Sequence, residues 1–215
     1  MLISLLGFII FIYSVVLHEI AHGFVADKLG DPTARISGRL TLNPIPHIDL
    51  VWSIIFPFFL FISKFGIIFG AAKPVPIDPY NLRNPRKDLG IIGISGPITN
   101  LLIAVILSIV ARIIFSFPSN TFSYGAIQVL ANAAYLNIAL AIFNLIPIPP
   151  LDGSRVLASL LPNKYALIFD EIEKYGFFII ILLFLFPGIF FPIQRLIYTI
   201  TNFILNFVFP GLPVV

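Results

Sequence analysis

From Leu2 to Leu17 the chain carries no charged residue, and this apolar stretch, which runs over about 2–26, is followed by four more, at about 50–70, 90–117, 124–148 and 176–209. About 20 apolar residues in a helix cross the hydrocarbon core of a bilayer. No water is available there to the backbone, so spanning segments must satisfy their own hydrogen bonds. Of the 215 residues, 59% are hydrophobic and only 11% charged, against about 25% charged in an ordinary soluble domain. The chain therefore reads as an all-α polytopic membrane protein in one domain, 1–215, with the lipid bilayer as its solvent. No Lys or Arg precedes Lys28, so a cleavable signal peptide is not expected and the first stretch should remain as a helix.

The apolar stretches are not equivalent. Those at 2–26, 90–117 and 124–148 suit single crossings. Pro57 and Lys64 interrupt the one at 50–70, and Pro187, Gly188 and Pro192 the last. Lys and Arg concentrate in 27–49, 71–89 and 151–175, whereas 118–123 has none. Cytoplasmic loops are the basic ones. All three basic segments are thus expected on the cytoplasmic side of the cell membrane, and 118–123 outside. Both flanks of 50–70 are basic, which predicts a re-entrant element turned near Pro57, Ser63, Lys64 and Gly66, within a total of about 4–6 membrane segments. The segment 176–215 reads either as one crossing or as a hairpin bent at Pro187–Gly188. "ARISGRLTLNP" (34–44) and the proline-rich "AKPVPIDP" (72–79) read as short extended segments, edge strands or polyproline-like, on the cytoplasmic side. The net charge of +3 reflects these loops, and no nucleic-acid partner is expected.

Ionisable groups are costly at membrane depth and mark function when they occur. "HEIAH" at 18–22 places two of the three histidines in the sequence at the end of the first stretch. On a helix His18 and His22 lie about 40° apart and one turn apart in height, so both imidazoles can reach one ion. Glu19, next to the first ligand, is placed to act as the general base of a metalloprotease. The plain alternative is an interfacial histidine pair capping the helix. The sequence has no cysteine, so a metal here must take histidine and carboxylate ligands. A catalytic zinc has three protein ligands and one open position, and the third comes from elsewhere. Asp152 fits best: it follows an apolar segment that ends on the same side, after Pro147, Pro149 and Pro150, which remove backbone donors and should unwind the helix end. His47, in "LNPIPHID", is the rival.

"HEIAH", "GPITN" (96–100) and "NLIPIPPLDG" (144–153), in that order, resemble the site-2 proteases, the intramembrane zinc metalloproteases. The loops "LTLNPIPHID" and "AKPVPIDPYNLRNP" are similar to those of their compact bacterial and archaeal members, which lack a PDZ domain. The resemblance covers about 1–155, the catalytic core, with the membrane segments 176–209 beyond it. It implies one Zn2+ per chain held by His18, His22 and Asp152, Glu19 as catalytic base, and Asn144 as a group that stabilises the oxyanion. It assigns Gly96, Pro97 and Asn100 to packing. The implied activity is endoproteolysis of transmembrane protein substrates, as in regulated intramembrane proteolysis. Two other readings remain at this stage. One is a different membrane metalloprotease, such as one that processes prenylated proteins. The other is a proton or metal-ion transporter, which would place ionisable residues at mid-membrane on several helices; 90–111 and 124–148 hold none.

Overall fold

The computed structural model describes residues 2–55, 58–59, 62, 72–117 and 121–208. Helix α1 spans Leu2–Leu29 and α2 is a single turn, Thr33–Ile36. Helix α3 spans Pro85–Phe115, α4 Thr121–Asn144, α5 Asp152–Leu160, α6 Asn163–Glu173, α7 Gly176–Leu185 and α8 Pro187–Val208. Short helical turns at Ile45–His47, Leu50–Ile55 and Pro79–Asn81 complete the described structure. Among the described residues no strand forms, so the all-α expectation holds.

Three helices, over Leu5–Leu29, Pro85–Phe115 and Ser123–Asn144, are long and apolar enough to cross a membrane. They correspond to the three single crossings expected from the sequence. Helix α3 starts cleanly because Pro85 occupies its first position, where a missing N–H costs nothing. The Asp88 carboxylate accepts the Asn84 N–H at 2.8 Å. Helix α3 lies against α1, α4 and α5, and α4 against α1 and α8. The seam between α3 and α4 is built from small side chains, Ala104, Ala111, Ala131 and Ala134, with Ile138 and Leu205 closing it. Small residues let helix backbones approach where lipid removes any hydrophobic drive between helices. Large apolar side chains, among them Phe8, Leu102, Ile106 and Ile113, point outward and are more than half exposed, a surface suited to hydrocarbon and not to water. One buried polar contact ties α1 to α4: Asn137 Nδ2 donates to Ser14 Oγ at 2.9 Å.

Three local expectations meet the structure differently. The extended segment read over 34–44, edge strand or polyproline-like, does not form. Residues 33–36 make a helical turn, seeded by Asp31, whose carboxylate accepts the Thr33 backbone N–H at 3.1 Å and the Thr33 hydroxyl. Gly38, at φ +66°, then reverses the chain, a conformation glycine adopts without strain. Residues 72–78 have no regular secondary structure. The re-entrant reading of 50–70 rests on Pro57, Ser63, Lys64 and Gly66, all outside the described residues. At the other end 176–208 forms two helices broken at Phe186, which pack on each other; proline at 187 ends α7 just before it.

Candidate metal centre

The end of α1, the start of α3 and the link from α4 to α5 gather at one end of the helix cluster. Helix α4 ends at Asn144, and the seven residues 145–151 run as tight turns that include Pro147, Pro149 and Pro150 before α5 begins at Asp152. That is the unwinding the prolines dictate. Gly153 makes the turn compact: a Cβ there would collide with the backbone of Leu145 and Ile146, so only glycine lets Asp152 sink beneath the end of α4.

The sinking brings Asp152 to the histidines. Asp152 Oδ2 lies 3.1 Å from His18 Nε2 and 3.3 Å from His22 Nε2, and the two Nε2 atoms are 3.1 Å apart. All three side chains are buried. The three residues form a group whose ligand atoms could hold one metal ion. Zinc with bonds of about 2.0–2.1 Å in a tetrahedron separates its donor atoms by about 3.3–3.4 Å, close to the triangle observed.

The protonation pattern agrees with that spacing. His22 Nδ1 donates to the Ile92 carbonyl at 2.7 Å, with the Ser95 hydroxyl 3.3 Å away. In the neutral ring the proton is then on Nδ1 and a lone pair on Nε2 faces the centre, the usual outer-shell arrangement of a metal-binding histidine. Asp152 Oδ2 is buried and has no hydrogen-bond donor among the described residues. Acceptors turned toward one another in a buried space call for a cation between them.

Helix α3 closes the centre on a third side through Gly96. A Cβ at this position would stand 2.5 Å from His22 Nε2 and 2.6 Å from His18 Nε2. The packing role expected of the "GPITN" motif thus falls, for its glycine, against the Nε2 atoms of His18 and His22. That adjacency was not legible in the sequence, where the only signal was a glycine inside a long apolar helix.

Glu19 is one residue beyond His18 and half-buried, and its Oε2 accepts the backbone N–H of Val75 at 2.9 Å. Val75 lies in the irregular segment 72–78, which is pinned at both ends. Arg39 Nη2 donates to the carbonyls of Lys73 at 2.6 Å and Pro74 at 3.3 Å, while Asp31 Oδ2 accepts the Asp78 N–H at 2.7 Å. Asn144 is near the turn but not joined to the three ligands: its Nδ2 donates to Leu140 O, one turn back in α4, at 3.0 Å. His47 is buried in its own loop, with Nε2 3.0 Å from Thr41 O, and is not part of the metal group.

A trio of histidine and carboxylate side chains that could hold a metal, with a further carboxylate beside it and set among helices long and apolar enough to cross a membrane, has the make-up of a membrane metallohydrolase centre. The comparisons with known proteins narrow this class. Residues 112–187 match the model of Peptidase family M50. The chain is 36% identical over 179 residues to "Putative zinc metalloprotease YwhC" of Bacillus subtilis, covering 82% of this chain and 78% of that protein. It is 30% identical over 176 residues to "Putative zinc metalloprotease Rip2" of Mycolicibacterium smegmatis, covering 82% of this chain and 65% of that protein. Against "Zinc metalloprotease MJ0392" of Methanocaldococcus jannaschii it is 30% identical over 158 residues, 74% of this chain and 35% of that protein. No solved structure gives a significant match. The chain belongs to peptidase family M50, the site-2 protease family. It is a zinc metalloprotease, and Zn2+ is the metal that the family implies.

Proposed function

We propose that the protein is an intramembrane endopeptidase that hydrolyses peptide bonds in or beside transmembrane segments of other membrane proteins, the cutting step of regulated intramembrane proteolysis. His18 and His22, through Nε2, and Asp152, through Oδ2, hold the zinc. When bound, the ion polarises the scissile carbonyl and lowers the pKa of water toward neutrality. Glu19 takes the proton from the attacking water and delivers it to the leaving amine. Asn144, whose Nδ2 donates to Leu140 O in this structure, is the donor for the developing oxyanion. The Val75 N–H holds the Glu19 carboxylate in place meanwhile. A transmembrane helix hides its carbonyls, so the bond to be cut must first unwind, beside the segment 72–78 that reaches Glu19.

The observation that carries this reading is the meeting of His18, His22 and Asp152 at 3.1–3.3 Å with Glu19 beside them on α1. The centre is at the end of the helices where the basic segments meet, and we place that end on the cytoplasmic side of the cell membrane. Cysteines at positions 37 and 83 should accordingly be labelled from the cytoplasm and not from outside. The test of the activity is cleavage of a model transmembrane peptide by the detergent-purified protein. Chelation should abolish cleavage and added Zn2+ should restore it; cleavage that persists through chelation would reject the proposal.

A further inference from the structure

A recess on the same end of the protein, distinct from the candidate zinc centre, has the chemistry of an anion site. It measures about 430 Å³ and is lined by Ser37, Arg39, Pro46, Lys73, Pro74 and Pro76. Two of the six side chains are cations and none is an acid. Arg39 is only 7% exposed, and none of the ion pairs among the described residues includes it. Its Nη2 is held by the carbonyls of Lys73 and Pro74, which fixes the plane of the guanidinium, while Nε is buried with no partner among the described residues. A buried charge with no counter-charge is strongly unfavourable. Two cationic side chains and no acidic one line the recess, which suits an anion such as phosphate.

The surroundings indicate where that phosphate comes from. The loop that follows Arg39 turns apolar side chains outward: Leu42, Ile45, Ile48, Leu50, Ile54 and Ile55 are all exposed. Leu40 folds back against Gly23 of α1, so the recess adjoins a helix long and apolar enough to cross a membrane. A cationic recess beside exposed apolar residues is suited to one anionic lipid, with the phosphate in the recess and the acyl chains along the loop. We infer that this cavity binds the headgroup phosphate of an anionic glycerophospholipid. The bound lipid neutralises Arg39, and Arg39 in turn positions Lys73 and Pro74, the residues leading to Val75 and Glu19.

The test uses the full chain reconstituted in an equimolar mixture of phosphatidylglycerol and phosphatidylcholine, followed by mass spectrometry of the lipid retained on the solubilised protein. The parent should retain phosphatidylglycerol preferentially. Lys73→Gln, at an exposed position outside the zinc site, should lower that retention about fivefold, the effect of one interfacial basic residue. Lys87→Gln, which removes an exposed cation that does not line the cavity, should leave it unchanged. Equal retention of the two lipids, or equal loss in both variants, would overturn the inference. A separate arm offers inorganic phosphate to protein in lipid-free micelles. Phosphate binding there without any preference for phosphatidylglycerol would mean a free-phosphate site and would also overturn it.

Discussion

The backbone N–H of Val75 donates to Glu19 Oε2 at 2.9 Å, so the proposed base is oriented by a segment far from it in sequence. Prolines flank Val75 on both sides, which leaves its N–H as the one donor in the triplet. Val75→Pro removes that donor without touching a zinc ligand. Cleavage of a transmembrane peptide should fall by about tenfold or more, since general-base catalysis as a whole contributes about 10²–10⁴, while zinc content stays at the parent level. Kinetics paired with metal analysis checks this; a variant with parental activity would remove Val75 from the account.

Gly96 gives a second prediction. Its missing side chain leaves the space beside both Nε2 atoms, so even Gly96→Ala should push the imidazoles apart. Zinc affinity should drop about 10–100-fold, the range seen when residues supporting metal ligands are changed. Competition with a chelator measures it directly, and unchanged affinity would show that α3 can move aside.

Asn144 should behave in the opposite way. It makes its hydrogen bond within α4 and touches no ligand, so Asn144→Ala should keep its zinc. Cleavage should nonetheless slow by about 10²–10³, the usual cost of one lost oxyanion donor. If both zinc content and rate match the parent, Asn144 has no part in the chemistry.

These residues also show what the sequence could and could not reveal. His18, Glu19 and His22 are legible because four-residue spacing on a helix is a local matter. Asp152 is legible because three prolines in four residues force the helix to end there. The Gly96 and Val75 contacts are not local: they arise from the packing of α3 on α1 and from a loop returning past the end of α1, which no periodicity encodes. The extended segment read over 34–44 fails for a local reason instead. Alternation at Leu40 and Leu42 suggested extended backbone, but the Asp31 carboxylate captures the Thr33 N–H and starts a helical turn instead, a local competition that alternation does not register.

Asp31 sets a pH dependence. Burial pushes its carboxyl upward, but hydrogen bonds from the Thr33 hydroxyl, the Asp78 N–H, Asn81 and the Thr33 N–H outweigh it and hold the pKa below the ordinary carboxylate value. The folded pKa is therefore lower than the unfolded one. The stabilisation is complete above the unfolded value, about pH 4, and is lost as pH falls through the folded value. Asp31→Asn should lower the melting temperature at pH 7, and the gap between parent and variant should close below about pH 4. Melting curves of both proteins across that range test it; a gap that stays constant in acid would contradict the assignment.

The central claim is that Glu19 acts on protons while His18, His22 and Asp152 hold the metal, and one paired measurement reaches it. Zinc content and transmembrane-peptide cleavage should be determined side by side for the parent, Glu19→Gln and Asp152→Ala. Glu19→Gln preserves size and the ability to accept the Val75 N–H, so its zinc should stay near one per chain while cleavage falls by at least about 10²-fold. Asp152→Ala should lose both. A Glu19→Gln protein that cleaves at the parent rate, or an Asp152→Ala protein that keeps its zinc, would contradict the account.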